Sequence, residues 1–126
     1  PAIPAPAGTS TALRQARVAP EGGCMICVIA TVEVKPGKRE ALLAELRRNV
    51  PNVVAEQGCL GYEPTLDAHT EIPAQLPPRA DAVTIVERWE SLEALRAHLA
   101  APHMATYRER TKDLVARVTL QILEPA

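Results

Sequence analysis

Hydrophobic and polar positions divide the chain near residue 23. Residues 1–22 follow no period and hold Pro1, Pro4, Pro6 and Pro20 among Ala, Ser, Thr and Gly. That composition favours polyproline II or loose coil, with two helical turns at most over 11–18. From Cys24 the pattern changes. Positions 24–34 form an apolar run rich in Val and Ile that ends at Lys35-Pro36-Gly37-Lys38, which predicts a strand, apolar on both faces, and then a turn. Over 38–56, Leu42, Leu43, Leu46, Val50, Val53 and Val54 recur at helical spacing between charges. Pro51 lies inside this helix, where the lost hydrogen bond to the Arg47 carbonyl is expected to kink or split it. Gln57-Gly58 closes it.

The second half repeats the theme. Positions 60–67 alternate as a strand, and Pro64 confines it to an edge or a bulge. A loop follows over 69–81 with Pro73, Pro77 and Pro78, then an apolar strand over 82–90. Ser91 is placed to cap a helix carrying Leu92, Leu95 and Leu99. Ala101-Pro102-His103 interrupts it, and 104–114 continues as a further helical segment. Positions 116–123 set Val118, Leu120 and Ile122 against Arg117, Thr119 and Gln121, a final strand. The order strand–helix–strand–strand–helix–strand predicts an α+β, ferredoxin-like split βαβ fold, an antiparallel sheet with helices on one face. If the first strand is apolar on both sides, the uncovered face needs a cover. A second copy of the sheet is the simplest, so a homodimer is expected.

Composition trims the function classes. The chain has 126 residues, enough for one domain. We divide it into an arm over 1–22, expected to lie against a partner subunit, and a domain over 23–126. The net charge of −1 and three aromatic residues (Tyr62, Trp89, Tyr107) supply neither the basic field nor the stacking rings of a nucleic-acid binder. No apolar run reaches the roughly 20 residues of a membrane span. Residues 1–22 lack the basic and apolar regions of a signal peptide, so a cytoplasmic protein is expected. Three cysteines imply no complete disulfide framework. Cys24 and Cys27 have redox or zinc spacing, but they fall on a strand with no second ligand pair, so they and Cys59 read as packing.

No phosphate loop or dinucleotide fingerprint is present, and no histidine pair has metal-ligand spacing. His98 flanks the apolar stripe of its helix, and on spacing alone reads as a packed, hydrogen-bonded residue. His103 reads as a cap or hinge, Tyr62 and Trp89 as core, and Arg47-Arg48 as a solvated face.

Four stretches in order carry a resemblance: ICVIATVEVKPG over 26–37, AEQGCLGYE over 55–63, VERWES over 86–91 and LRAHLAAPH over 95–103. Together, across about residues 24–124, they resemble the antibiotic biosynthesis monooxygenase family, which includes quinol monooxygenases. The resemblance implies a dimeric α/β barrel of ferredoxin-like subunits with a pocket between sheet and helices. It also implies oxygenation of a small electron-rich aromatic, a quinol or phenol, by molecular oxygen with neither metal nor flavin. Under it, His98 or His103 is the candidate base and Tyr62 a hydrogen-bond donor. Trp89 is a pocket wall or stacking surface, and Asn49, Asn52 and Tyr107 contact substrate. The chain departs from the family in the aliphatic stretches AVTIVERW and PHMATY, the long 69–81 loop and the arm. A haem-degrading branch of the same fold uses Asn, Trp and His at positions that here hold Ala30, His98 and Arg108, which disfavours that chemistry. Two alternatives stay open. One is a non-catalytic small-molecule-binding or stress-related dimeric module. The other is an isomerase of small phosphorylated sugars, for which Arg47, Arg88 and Arg108 would supply the anion site.

Overall fold

The computed structural model describes residues 25–126; the 1–22 arm and Cys24 lie outside them. The elements run β1 (Ile26–Val34), α1 (Arg39–Val54), β2 (Cys59–Thr65), β3 (Ala82–Trp89), α2 (Leu92–Leu99), α3 (Pro102–Thr111) and β4 (Val115–Leu123). The four strands form one sheet in the order β2-β3-β1-β4, every neighbouring pair antiparallel. This is the expected α+β, ferredoxin-like arrangement, with the long apolar strands β1 and β3 at its centre.

Alternation along β1 decides which way the sheet faces. Ile26, Val28, Ala30, Val32 and Val34 are buried, while the residues between them are half-buried. The buried set meets Leu42, Leu43, Leu46 and Val53 of α1, together with Leu95 of α2 and Met104 of α3. Each side chain of this size contributes about 1.5–3 kcal/mol when fully buried.

The opposite face differs from expectation. It carries Cys27, Ile29, Thr31 and Glu33 of β1 beside Thr84, Val86 and Arg88 of β3 and Arg117, Thr119 and Gln121 of β4. An ion pair at 2.8 Å joins Arg117 to Glu33 across it. The face is therefore mixed, because the apolar run over 24–34 contains Thr31 and Glu33 at positions that point away from the helices. The exposed apolar residues stand elsewhere. Val118, Leu120 and Ile122 of β4 pair with Val32, Ala30 and Val28, so they lie on the helix side of the sheet. The helices stop short of this edge strand and leave them 54%, 41% and 49% exposed.

Pro51 does not split α1, which runs unbroken to Val54. Arg47 and Pro51 both lie on the exposed side of the helix, where water can serve the freed carbonyl. Gly58 ends the connection to β2 in the left-handed region, with φ +87°. A Cβ there would stand 2.7 Å from that of Ala94, so glycine is required both by conformation and by the close approach of α2. The Ser91 hydroxyl accepts a hydrogen bond from the Ala94 amide at 3.1 Å and caps α2 as expected. Pro102 opens α3 at its first turn, two residues earlier than the sequence pattern placed it. β2 is an edge strand, consistent with Pro64. In the loop after it, Arg79 is held to Asp67 by two side-chain hydrogen bonds of 2.8 and 2.9 Å. No described helix is long and apolar enough to cross a membrane.

Candidate active site

The α1–β2 turn that Gly58 makes possible also presents Glu56 to the break between α2 and α3. Its Oε2 lies 2.9 Å from Nδ1 of His98, in the last turn of α2, and 2.6 Å from Nε2 of His103, in the first turn of α3. A carboxylate only accepts hydrogen bonds, so both rings donate to it, which assigns the Nδ1–H tautomer to His98.

His98 is 2% exposed and held in place by rings. The Trp89 ring centroid lies 4.6 Å from its own, and that of Tyr62 5.6 Å. Burial lowers the His98 pKa below the usual histidine value, while the Glu56 hydrogen bond opposes the shift. The imidazole is therefore neutral at pH 7. Among the described residues its Nε2 has no hydrogen-bond partner, yet the atom is not sealed away from solvent. A neutral imidazole with one nitrogen anchored and the other open is arranged to accept a proton.

The space beside it is a cleft of about 390 Å³ between the helix side of the sheet and α3. Ala30, Val32 and Ile85 form its floor and Met104, Tyr107 and Thr111 one wall, while Val118 and Leu120 lie at the β4 edge. A dry cavity of about 150 Å³ accommodates benzene, so this one has room for a ring system of one or two rings. Most of the lining surface is apolar, as in small-molecule sites generally, with polar side chains set into it. Tyr62 is buried in it, and desolvation raises its pKa far above the usual phenol value. It therefore stays protonated and can donate. Tyr107 is likewise pushed up, to about 12, chiefly by burial.

Glu87 also lines this cleft and was not among the residues singled out from sequence. It is 5% exposed and accepts a hydrogen bond from Trp89 Nε1 at 2.9 Å. Burial is the largest influence on its carboxyl, the Trp89 hydrogen bond opposes it and the Glu56 charge adds to it; the pKa is raised to about 7. A signal for it existed. On β3, Ile85, Glu87 and Trp89 share the buried face, so an acid stands where alternation calls for an apolar residue.

The remaining expected site residues divide. Trp89 is fully buried behind His98 and lines no described cleft; its contact is with the His98 ring rather than the cavity. Asn49, Asn52 and His103 line a separate cleft of about 170 Å³ together with Glu45, Arg48 and Arg110. There the Asn52 amide donates to Asn49 Oδ1 at 3.2 Å, and the Asn49 amide reaches Met104 Sδ at 3.3 Å. Tyr107 borders both clefts. Ala30, His98 and Arg108, the positions compared with the haem-degrading branch, all lie in the larger one. The three arginines of the anion reading do not converge. Arg108 lines the large cleft and Arg47 a third one, while Arg88 reaches Cys27 Sγ at 3.3 Å on the opposite face.

Glu56, His98 and His103 are also the set that could hold a metal, with one ligand atom each and all three within 4.8 Å of one another. The 2.6 and 2.9 Å separations are hydrogen-bond lengths. A tetrahedral ion with bonds of 2.0–2.1 Å would spread its ligands to about 3.3 Å, so this geometry suits a proton-sharing unit better than a metal cage.

Comparison with known proteins decides the family. Residues 25–110 match the antibiotic biosynthesis monooxygenase family. The chain belongs to it. Among relatives, a protein of Escherichia coli K12 named "Probable quinol monooxygenase YgiN" is 38% identical over 104 residues, covering 80% of this chain and 98% of that one. Among solved structures, PA3566 from Pseudomonas aeruginosa superposes with a TM-score of 0.69 at 28% identity, over 82% of this chain and 95% of that chain. Rv0793 from Mycobacterium tuberculosis does so at 0.66 and 29%, over 81% and 95%. The family assignment agrees with the four resembling stretches, three of which bring Glu56, Tyr62, Glu87, Trp89, His98 and His103 to one place.

Proposed function

We propose that this antibiotic biosynthesis monooxygenase family member oxygenates a small quinol or related electron-rich phenol with molecular oxygen, without metal or flavin. One observation carries the reading: His98, neutral and anchored through Nδ1 to Glu56, leaves Nε2 open beside an apolar cleft of aromatic size. Triplet oxygen reacts slowly with closed-shell molecules, but a deprotonated quinol can give it one electron. His98 takes the hydroxyl proton, the electron passes from the ring to oxygen, and the radical pair joins to form a C–O bond. The O–O bond then breaks. One oxygen atom stays on the ring, the other leaves as water, and hydroquinone plus O2 becomes hydroxyquinone plus water. Tyr62 supplies an O–H donor for the oxyanion, and the apolar lining excludes bulk water.

The family match and the relative named as a quinol monooxygenase support this substrate class. We further infer a homodimer, in which a second copy covers Val118, Leu120 and Ile122 at the open edge of the cleft. We place the reaction in the cytoplasm, in line with the odd cysteine count.

Oxygen uptake on a panel of hydroquinones and anthrone-like phenols tests the reading. Turnover well above the protein-free rate is expected, falling at least about 100-fold in His98→Gln with the fold unchanged. Ligand binding without turnover by the unaltered protein would instead favour a non-catalytic binding module.

A further inference from the structure

Glu87 has no part in the chemistry above, yet its position is demanding. It is a 5% exposed carboxyl among Ala30, Val32 and Ile85, and it makes no ion pair among the described residues. One oxygen accepts the Trp89 Nε1–H. The other has no hydrogen-bond partner among the described residues and is not sealed from solvent, so it is available to a molecule in the cleft. The charged groups around it are Glu56, which repels its charge from behind, and Arg108 and Lys112 in the cleft lining. A carboxyl desolvated in this way without a bonded cation burdens the fold. A desolvated carboxyl facing a cleft is a candidate for proton chemistry.

We propose that Glu87 is the second proton acceptor of the cleft: its free oxygen binds and deprotonates a second ring hydroxyl, which makes the site select rings with two hydroxyl groups over their monoethers. This rests on the quinol reading above. His98 takes the proton of one hydroxyl and Glu87 that of the other, as the ring passes four electrons to O2. Both protons rejoin the departing oxygen atom as water, and the displaced ring hydrogen ends on the new hydroxyl. A carboxyl that titrates near pH 7 can accept the proton and return it within one turnover.

Anaerobic calorimetric titration with hydroquinone and with 4-methoxyphenol tests the assignment, using the unaltered protein, Glu87→Gln and Glu87→Leu. The unaltered protein is expected to bind hydroquinone about tenfold more tightly than the ether, as for a hydrogen bond to a charged group. In both variants the ratio falls to within about twofold, through weaker hydroquinone binding and an unchanged affinity for the ether. An equal ratio in the unaltered protein, or one that survives in Glu87→Gln, overturns the assignment and leaves the quinol reading standing. Failure of hydroquinone to bind the unaltered protein removes both. A melting curve accompanies each variant. Loss of the fold in both variants would make Glu87 structural and also overturn the assignment.

Discussion

His98 and Glu87 are two buried titratable groups in one cleft, and burial drives each toward its neutral form. For His98 that means a pKa below the ordinary histidine value. The acid limb of kcat/KM is therefore expected below pH 6.5, with activity lost as pH falls through it and the imidazole protonates. Glu56→Gln removes the carboxyl group that anchors Nδ1. It is expected to lower kcat and shift that limb to still lower pH, as a pH–rate profile would show. For Glu87 the consequence is seen in stability. A carboxyl raised to about 7 is neutral in the folded state below that pH, and the fold carries its buried charge above it. Relative to an ordinary glutamate, the unfolded state releases the proton first. Stability therefore declines as pH rises from about 4.5 through 7. Glu87→Gln, which mimics the neutral acid, should match the parent protein near pH 4.5. Its melting temperature should exceed the parent's at pH 8, with a gain of at most about 3 kcal/mol. A gain that did not grow with pH would contradict the buried-charge account.

What positions these residues is a pair of junctions. Gly58 lets the α1–β2 turn pass close under Ala94, and Ser91 caps the helix that delivers His98. Gly58→Ala meets both an unfavourable φ and a 2.7 Å contact. It should destabilise the fold by about 1–3 kcal/mol and disturb Glu56 with it. Ser91→Ala should cost about 1 kcal/mol without altering the cleft. Chemical denaturation of the two variants checks this ordering.

Elements of this kind were readable from periodicity and punctuation: Leu42, Leu43 and Leu46 at helical spacing, Ser91 as a cap, and Pro64 as the mark of an edge. The Glu56–His98–His103 unit was not readable. Its members lie 42 and 47 positions apart along the chain and meet only through the Gly58 turn and the helix break at Ala101-Pro102. Glu87 could be read in principle, as a charge at an inward strand position. In the run AVTIVERW, however, its neighbour Arg88 points outward and makes the pair look like a solvated strand end. Trp89 was legible as core, and the His98 ring it packs against was not.

For the molecule as a whole, β4 is the element that bears on assembly. An edge strand with three outward aliphatics on the cleft side is an unfavourable surface for a monomer. Light scattering at micromolar concentration should give the mass of a dimer, and Leu120→Glu should shift it toward monomer. A monomeric parent protein would remove the second copy from the account. The metal question belongs here too. Because the two histidines share a carboxylate at hydrogen-bond distances, chelator treatment should leave both turnover and melting temperature unchanged.

The most direct test of the central claim follows oxygen itself. Chelator-treated protein is given a hydroquinone under ¹⁸O-labelled dioxygen, and label is counted in product and in water. A single labelled atom in the quinone product and one in water, formed at least about 100-fold more slowly by His98→Gln, is the predicted result. Product without label from dioxygen, or an equal rate in His98→Gln, would contradict it.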